Sequence, residues 1–174
     1  MMKTATLAPH QSTAIDIVVE SSLWAEQPEA EPTLRQAIAA AASARIPHTA
    51  AEVAVVLTDD AAMRRLNSQW RGVDRPTNVL SFPALSAAHG TTVGNDGPPR
   101  LLGDIVLSYE TLAREAAAEG KPFCHHLAHL AVHGFLHLLG YDHESDGAAE
   151  AMETLEGDIL AQLGVPDPYA RAQA

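Results

Sequence analysis

The chain has 174 residues, 47% of them hydrophobic and 19% charged, which suits one globular domain and excludes a disordered polymer. Its formal charge of −11 excludes broad electrostatic attraction to nucleic acid or an anionic membrane, so an anionic ligand must be met locally. Cys124 is the only cysteine, which excludes an internal disulfide; no apolar run approaches the roughly eighteen residues of a membrane span, and MMKTATLAPHQST has no secretory h-region, so the expected location is the cytoplasm.

In chain order, the alternating AIDIVVE (14–20) predicts a strand, and TLRQAIAAAASAR (33–45) an Ala-rich helix with Leu34, Ile38 and Ala41 or Ala42 inward. AEVAVVLT (51–58) predicts a central strand, and DDAAMRRLNSQW (59–70) a helix capped by Thr58 or Asp59 and broken at Gly72. Residues 78–82 read as a short strand, 84–100 as a long surface loop, and LGDIVLS (102–108) as another strand. Ser108 is the expected cap of the helix 109–119, which Gly120 ends. Pro122 opens a helix running to Leu139 and stopped at Gly140; Asp146 caps a last amphipathic helix, and the ends near 1–12 and 165–174 read as loose. Strands and helices interleave without a repeat, so one α+β domain spanning 1–174 is expected, built on a single small sheet.

Six of the nine histidines fall between 125 and 143. At about 100° per residue, His126, His129, His133 and His137 form one narrow stripe on a helix that is apolar nearly everywhere else. His133 and His137, four apart, have Cβ atoms about 6 Å apart on one face and can share a cation. The Gly140 turn then brings His143 back as a third ligand. His129 and His137 are separated by about 12 Å along the axis, so His129 and His126 are expected to line the cleft. A lone histidine on such a face reads as core; three at i, i+4 and i+10 across a glycine stop read as a metal site. Cys124, on the opposite side, reads as core. Three imidazoles leave zinc an open position, the arrangement of a catalytic rather than a structural site.

H-x-x-x-H-x-x-G-x-x-H is also the spacing of the metzincin proteases, in which a glutamate general base follows the first histidine. Gly134 stands there in this chain and can abstract no proton. A peptidase or amidohydrolase would need a carboxylate from elsewhere, such as Glu144 or Asp146. A non-enzymatic assembly factor with a structural metal is the other alternative.

HGFLHLLGYDH (133–143), LNSQWRGVDRPTNVLSFP (66–83) and LLGDIVLS (101–108) resemble, in that order, the signatures of the YbeY single-strand-specific endoribonucleases. The resemblance spans roughly residues 50–160 and implies a zincin-like fold, with a small mixed sheet packed against a buried metal-binding helix. It implies one zinc ion on His133, His137 and His143, with His133 also counted as catalytic. The implied work is 16S rRNA 3′-end maturation and ribosome quality control, with single-stranded or ribosomal RNA as substrate. The implied partners are the small ribosomal subunit, its proteins or assembly GTPases, and no membrane.

The family's functional arginine follows the aromatic residue of a Tyr-Arg-Gly step. Here the step is Trp70-Arg71-Gly72, with Trp in place of Tyr, and the role passes to Arg71. Its bland alternative is a structural tie to Asp74; for Arg64 and Arg65 a solvated helix face is expected. A metal Lewis acid and a guanidinium suit the charge that builds on phosphate oxygens during cleavage. Either activated water or the ribose 2′-OH could attack, and His129 and Asp104 are the candidates for general base. A confined positive patch is expected where zinc and Arg71 meet.

Overall fold

A computed structural model of the chain describes residues 12–85 and 98–170. The strands are β1 (Thr13–Val19), β2 (Ala51–Thr58), β3 (Val79–Pro83) and β4 (Arg100–Ser108). The helices are α1 (Ala30–Arg45), α2 (Asp60–Arg71), α3 (Tyr109–Ala118), α4 (Phe123–Leu138) and α5 (Asp146–Gln162), with a 3-10 turn at Ser22–Glu26. The four strands form one mixed sheet in the order β1-β2-β4-β3, in which β1, β2 and β4 are parallel and β3 runs antiparallel to β4 at an edge. The expected α+β class with a small mixed sheet matches this arrangement.

β2 alternates as its sequence requires. Ala51, Val53, Val55 and Leu57 point into the main core, which α1, α4 and α5 complete with Leu34, Ile38, Leu127, Ala131, Phe135 and Leu160. Removing a Leu or Phe side chain of this kind from water contributes about 1.5–3 kcal/mol. On the other face, α2 covers a smaller patch through Met63, which packs with Leu80 and Val106. The sheet therefore separates α2 from α4.

A bulge in β4 decides which residues face which side. Glu52 pairs with Leu101 but Val53 with Gly103, so Leu102 is the extra residue. Leu102 and Ile105, three apart, both enter the main core, and Asp104 is turned to the α2 face with Val106. Gly103 adopts φ +128° there, and a Cβ would lie 2.1 Å from the carbonyl oxygen of Phe82, so no other residue fits.

Several local expectations are revised. α1 starts at Ala30, three residues early, with Pro32 in its first turn, where a missing N–H costs no intrahelical bond. Asp59 caps α2 by accepting from Ala62 N at 2.9 Å, and Gly72 closes that helix in a left-handed conformation. Ser108 stands at the N-cap of α3 as expected, but its hydroxyl makes no capping bond and donates instead to Asp60 Oδ1 at 2.5 Å. Ser145, not Asp146, caps α5. Most of the expected 84–100 loop lies outside the described residues, and β4 already begins at Arg100. The segment after α5, expected to be loose from 165, is tied down through Tyr169, because that side chain finds buried partners.

Candidate metal centre

α4 carries Leu127, Leu130, Ala131, Val132, Phe135, Leu136 and Leu138 into the core, which leaves its histidine stripe facing α5 and the turn after α4. The helix is pressed on the sheet at Gly134. A Cβ there would meet Ile105 Cγ2 at 3.0 Å, Ser81 Oγ at 3.1 Å and Val79 Cγ2 at 3.3 Å. Ser81 also donates to the Gly134 carbonyl at 2.9 Å. Position 134 thus faces strands β3 and β4 rather than a cleft. A glutamate has no room there, so the peptidase base is missing for a steric reason as well as a chemical one. Glu144 and Asp146 are exposed, and neither hydrogen-bonds to a triad histidine.

The rings of His133, His137 and His143 converge through the same atom. His137 Nε2 lies 3.1 Å from His133 Nε2 and 3.0 Å from His143 Nε2, and ring centroids are 4.6–5.1 Å apart. The far nitrogens explain the tautomers. His137 Nδ1 is 2.7 Å from the carbonyl oxygen of Tyr141, which can only accept, so Nδ1 carries the proton. His133 Nδ1 is 2.6 Å from Glu156 Oε1, an ionised carboxylate that can only accept. Both Nε2 atoms therefore present lone pairs to each other at hydrogen-bond distance, which is unfavourable without a cation between them. Burial, with His133 and His143 beside it, lowers the His137 pKa and keeps that ring neutral, as a ligand must be. The donor set fits a divalent ion of zinc's type, and His143, exposed on the turn, leaves a side open to solvent.

Glu156, which the sequence reading missed, is fully buried on α5. It accepts from His133 Nδ1, from His129 Nε2 at 3.3 Å and from the Tyr169 hydroxyl. Burial would push its carboxyl up; the three donors outweigh that and hold it at about 2. Burial and the neighbouring Glu156 raise the Tyr169 hydroxyl above its ordinary value. His129, His133 and Glu156 form a second cluster of metal-ligand type, but the ring-to-carboxylate distances are those of hydrogen bonds. This cluster supports the triad and does not compete with it. The available signal for Glu156 is its place on the buried stripe Met152, Glu156, Ile159, Leu160.

His126 is committed elsewhere. Its Nε2 lies 2.7 Å from Glu115 Oε2, which also accepts from Asn78 Nδ2 at 3.0 Å, tying α4 and α3 to the start of β3. Cys124 is half-buried rather than core. The two general-base candidates fare poorly. Asp104 lies across the sheet from the histidines, and the His129 Nε2–H is shared by Glu156 and Tyr169.

Arg71 ends α2 and is exposed, without an ion pair or hydrogen bond among the described residues. The tie to Asp74 belongs to Arg64, through contacts of 2.7 and 2.8 Å. Among the described residues no hydrogen bond, ion pair or ring contact joins Arg71 to the triad. They are linked through the edge strand: Trp70 stacks edge-on with Phe82 at 5.7 Å, and the next residue, Ser81, holds Gly134. The Arg45 guanidinium sits 5.5 Å from the ring of Tyr141, the residue whose carbonyl orients His137.

Known proteins share this chain's pattern. Residues 18–164 match the family described as Endoribonuclease YbeY. The protein named Endoribonuclease YbeY of Bradyrhizobium sp. (strain BTAi1) is 58% identical over 156 residues, 89% of this chain and 91% of that one. Its namesake in Bradyrhizobium diazoefficiens is 54% identical over 169 residues, covering 97% of this chain and 91% of its own. The solution structure of TM1509 from Thermotoga maritima superposes with a TM-score of 0.54 at 25% identity, covering 90% of this chain and 99% of that one. Among the described residues no helix is long and apolar enough to cross a membrane. With the match running through both the histidine helix and the Trp-Arg-Gly turn, the chain belongs to the YbeY endoribonuclease family of metal-dependent hydrolases.

Proposed function

We propose that this protein is a zinc-dependent, single-strand-specific endoribonuclease that matures the 3′ end of 16S rRNA and serves ribosome quality control. Its work lies at the small ribosomal subunit, alongside subunit proteins or assembly GTPases. The observation that carries the reading is the approach of His133 Nε2 and His143 Nε2 to His137 Nε2 at 3.1 and 3.0 Å, with the His133 and His137 atoms locked as lone-pair donors. The names of the relatives supply the substrate class.

His133, His137 and His143 would hold the ion, which when bound supplies Lewis acidity towards a phosphate oxygen and lowers the pKa of water. The protein's own residues do the rest. Glu156 and the Tyr141 carbonyl keep the rings from turning. Buried α4 side chains close the inner side of the site, so a phosphodiester approaches from the side of His143. Arg71 contributes a guanidinium matched to the non-bridging oxygens of the scissile phosphate, reaching it past the edge of β3. An overall charge of −11 keeps non-specific RNA affinity low and makes cleavage depend on the ribosomal context.

The test is cleavage of a single-stranded RNA oligomer, set against its duplex and against casein, with and without chelator. Expected is metal-dependent cutting of the single strand alone, lost in His133→Ala and strongly reduced in Arg71→Ala. Cutting undiminished in both variants defeats the proposal.

A further inference from the structure

Glu156 is a buried anion without a fixed cation: among the described residues its partners are two imidazoles and one phenol, and no Lys or Arg pairs with it. A carboxylate with no fixed positive partner is costly to bury. Its third donor comes from beyond α5. The chain turns at Gly164, Val165 packs on the core, and Asp167 Oδ1 accepts from Tyr169 N at 2.9 Å. Asp167 lies 3.5 Å from the point where a Cβ would stand on Gly157, so this segment rests against a bare stretch of α5. Tyr169 is thereby set edge-on to His129, with ring centroids 5.4 Å apart, and its hydroxyl reaches Glu156.

We infer that Glu156 and Tyr169 are positioning residues for the metal centre: the carboxylate fixes the His133 tautomer and supplies the buried negative charge that draws in a divalent cation, and Tyr169 clasps that carboxylate in place. The inference rests on the metal reading given above. Three neutral imidazoles leave a dication's charge uncompensated, and a carboxylate one ring away offsets part of it. The proton on His133 Nδ1 is held by Glu156 Oε1 at 2.6 Å, which leaves Nε2 free towards His137. His129 completes the clasp by donating from Nε2 to both oxygens, while its Nδ1 has no partner among the described residues.

Two measurements test it separately from catalysis. In metal-free protein, ring nitrogen NMR shifts report which nitrogen of His133 is protonated. Nδ1 is expected in the wild type and in Glu156→Gln, which keeps an acceptor; Glu156→Leu moves the proton towards Nε2. Competition with a chromophoric chelator then reads zinc affinity. Glu156→Gln is expected to bind zinc about 10–100-fold more weakly, and Tyr169→Phe several-fold more weakly, with circular dichroism unchanged. A wild-type His133 protonated on Nε2, or equal zinc affinity in wild type, Glu156→Gln and Tyr169→Phe, overturns the inference. A wild type that takes up no zinc defeats the metal reading and the affinity claim with it, and is recognised in the first titration, before any variant is compared.

Discussion

Asp60 and Glu110 each secure the helix that the other begins. Glu110 Oε2 accepts from Asp60 N, the first amide of α2, at 2.8 Å; Asp60 Oδ1 accepts from Thr111 N at 3.2 Å and Thr111 Oγ1 at 2.7 Å in the first turn of α3. Burial raises the Asp60 carboxyl pKa, but the Ser108 and Thr111 hydrogen bonds and the Arg114 charge outweigh it and hold the group below its ordinary value. The folded pKa is thus below the unfolded one near 3.8, and the unfolded chain binds the proton more readily. The stabilisation is complete above the unfolded value and disappears as pH falls through the folded one. Asp60→Ala should cost about 1–3 kcal/mol at pH 7. Its melting temperature should approach that of the wild type as pH is lowered through and below the ordinary carboxylate range. A constant gap across that range would refute the assignment.

Gly134→Ala should destabilise the protein by about 1–3 kcal/mol, because α4 has to back away from Ile105 and Ser81. Thermal unfolding reads the loss directly. Gly134→Glu should lower stability further and create no casein-cleaving activity, since the side chain points at the sheet. Gain of peptidase turnover would show that the helix is free to rotate.

Much of this is legible in the residue pattern alone. The strands and helices followed from period and punctuation, and the four histidines of α4 share a stripe because α-helical spacing requires it. What was not legible has physical causes. Asp104 looked equivalent to any polar neighbour of the site until the bulge at Leu102 changed the parity of β4. Arg71 is expected from the family resemblance to meet the metal site, but spacing along the chain does not reveal that it ends α2, on the other face of the sheet from α4, so that any approach must pass the β3 edge. Glu156 was hidden because a glutamate on an amphipathic helix normally marks the wet face; here it shares the buried one. Tyr169 sat in a segment rich in proline and small residues that gave no sign of a docking partner.

Removing the metal should lower stability in proportion to its binding. At a thousandfold excess over the dissociation constant, zinc should add about 4 kcal/mol. His143 is exposed, so His143→Ala should leave the metal-free melting temperature nearly unchanged, within about 0.5 kcal/mol, while abolishing the shift on adding zinc. Calorimetry with and without chelator checks both. A retained shift would mean that the third ligand lies elsewhere.

Arg71→Ala should lower the rate of RNA cleavage at saturating substrate by about 10²–10³-fold, the range found for loss of one donor to transition-state charge. Metal content should stay at the wild-type level, because Arg71 touches no triad residue. Elemental analysis beside single-turnover kinetics separates the two effects. Loss of metal in this variant would make the arginine a structural prop.

The glycine seat between α4 and the β3–β4 hairpin has a consequence for ion choice. With Ile105, Ser81 and Val79 all within 3.3 Å of where a Cβ would stand on Gly134, α4 is seated against the sheet, and with it the position of His133 and His137 relative to His143 on the following turn. The bite is therefore dictated by the scaffold and not by the guest, and ions of different radius are sorted by how well they fill an opening that does not adapt to them.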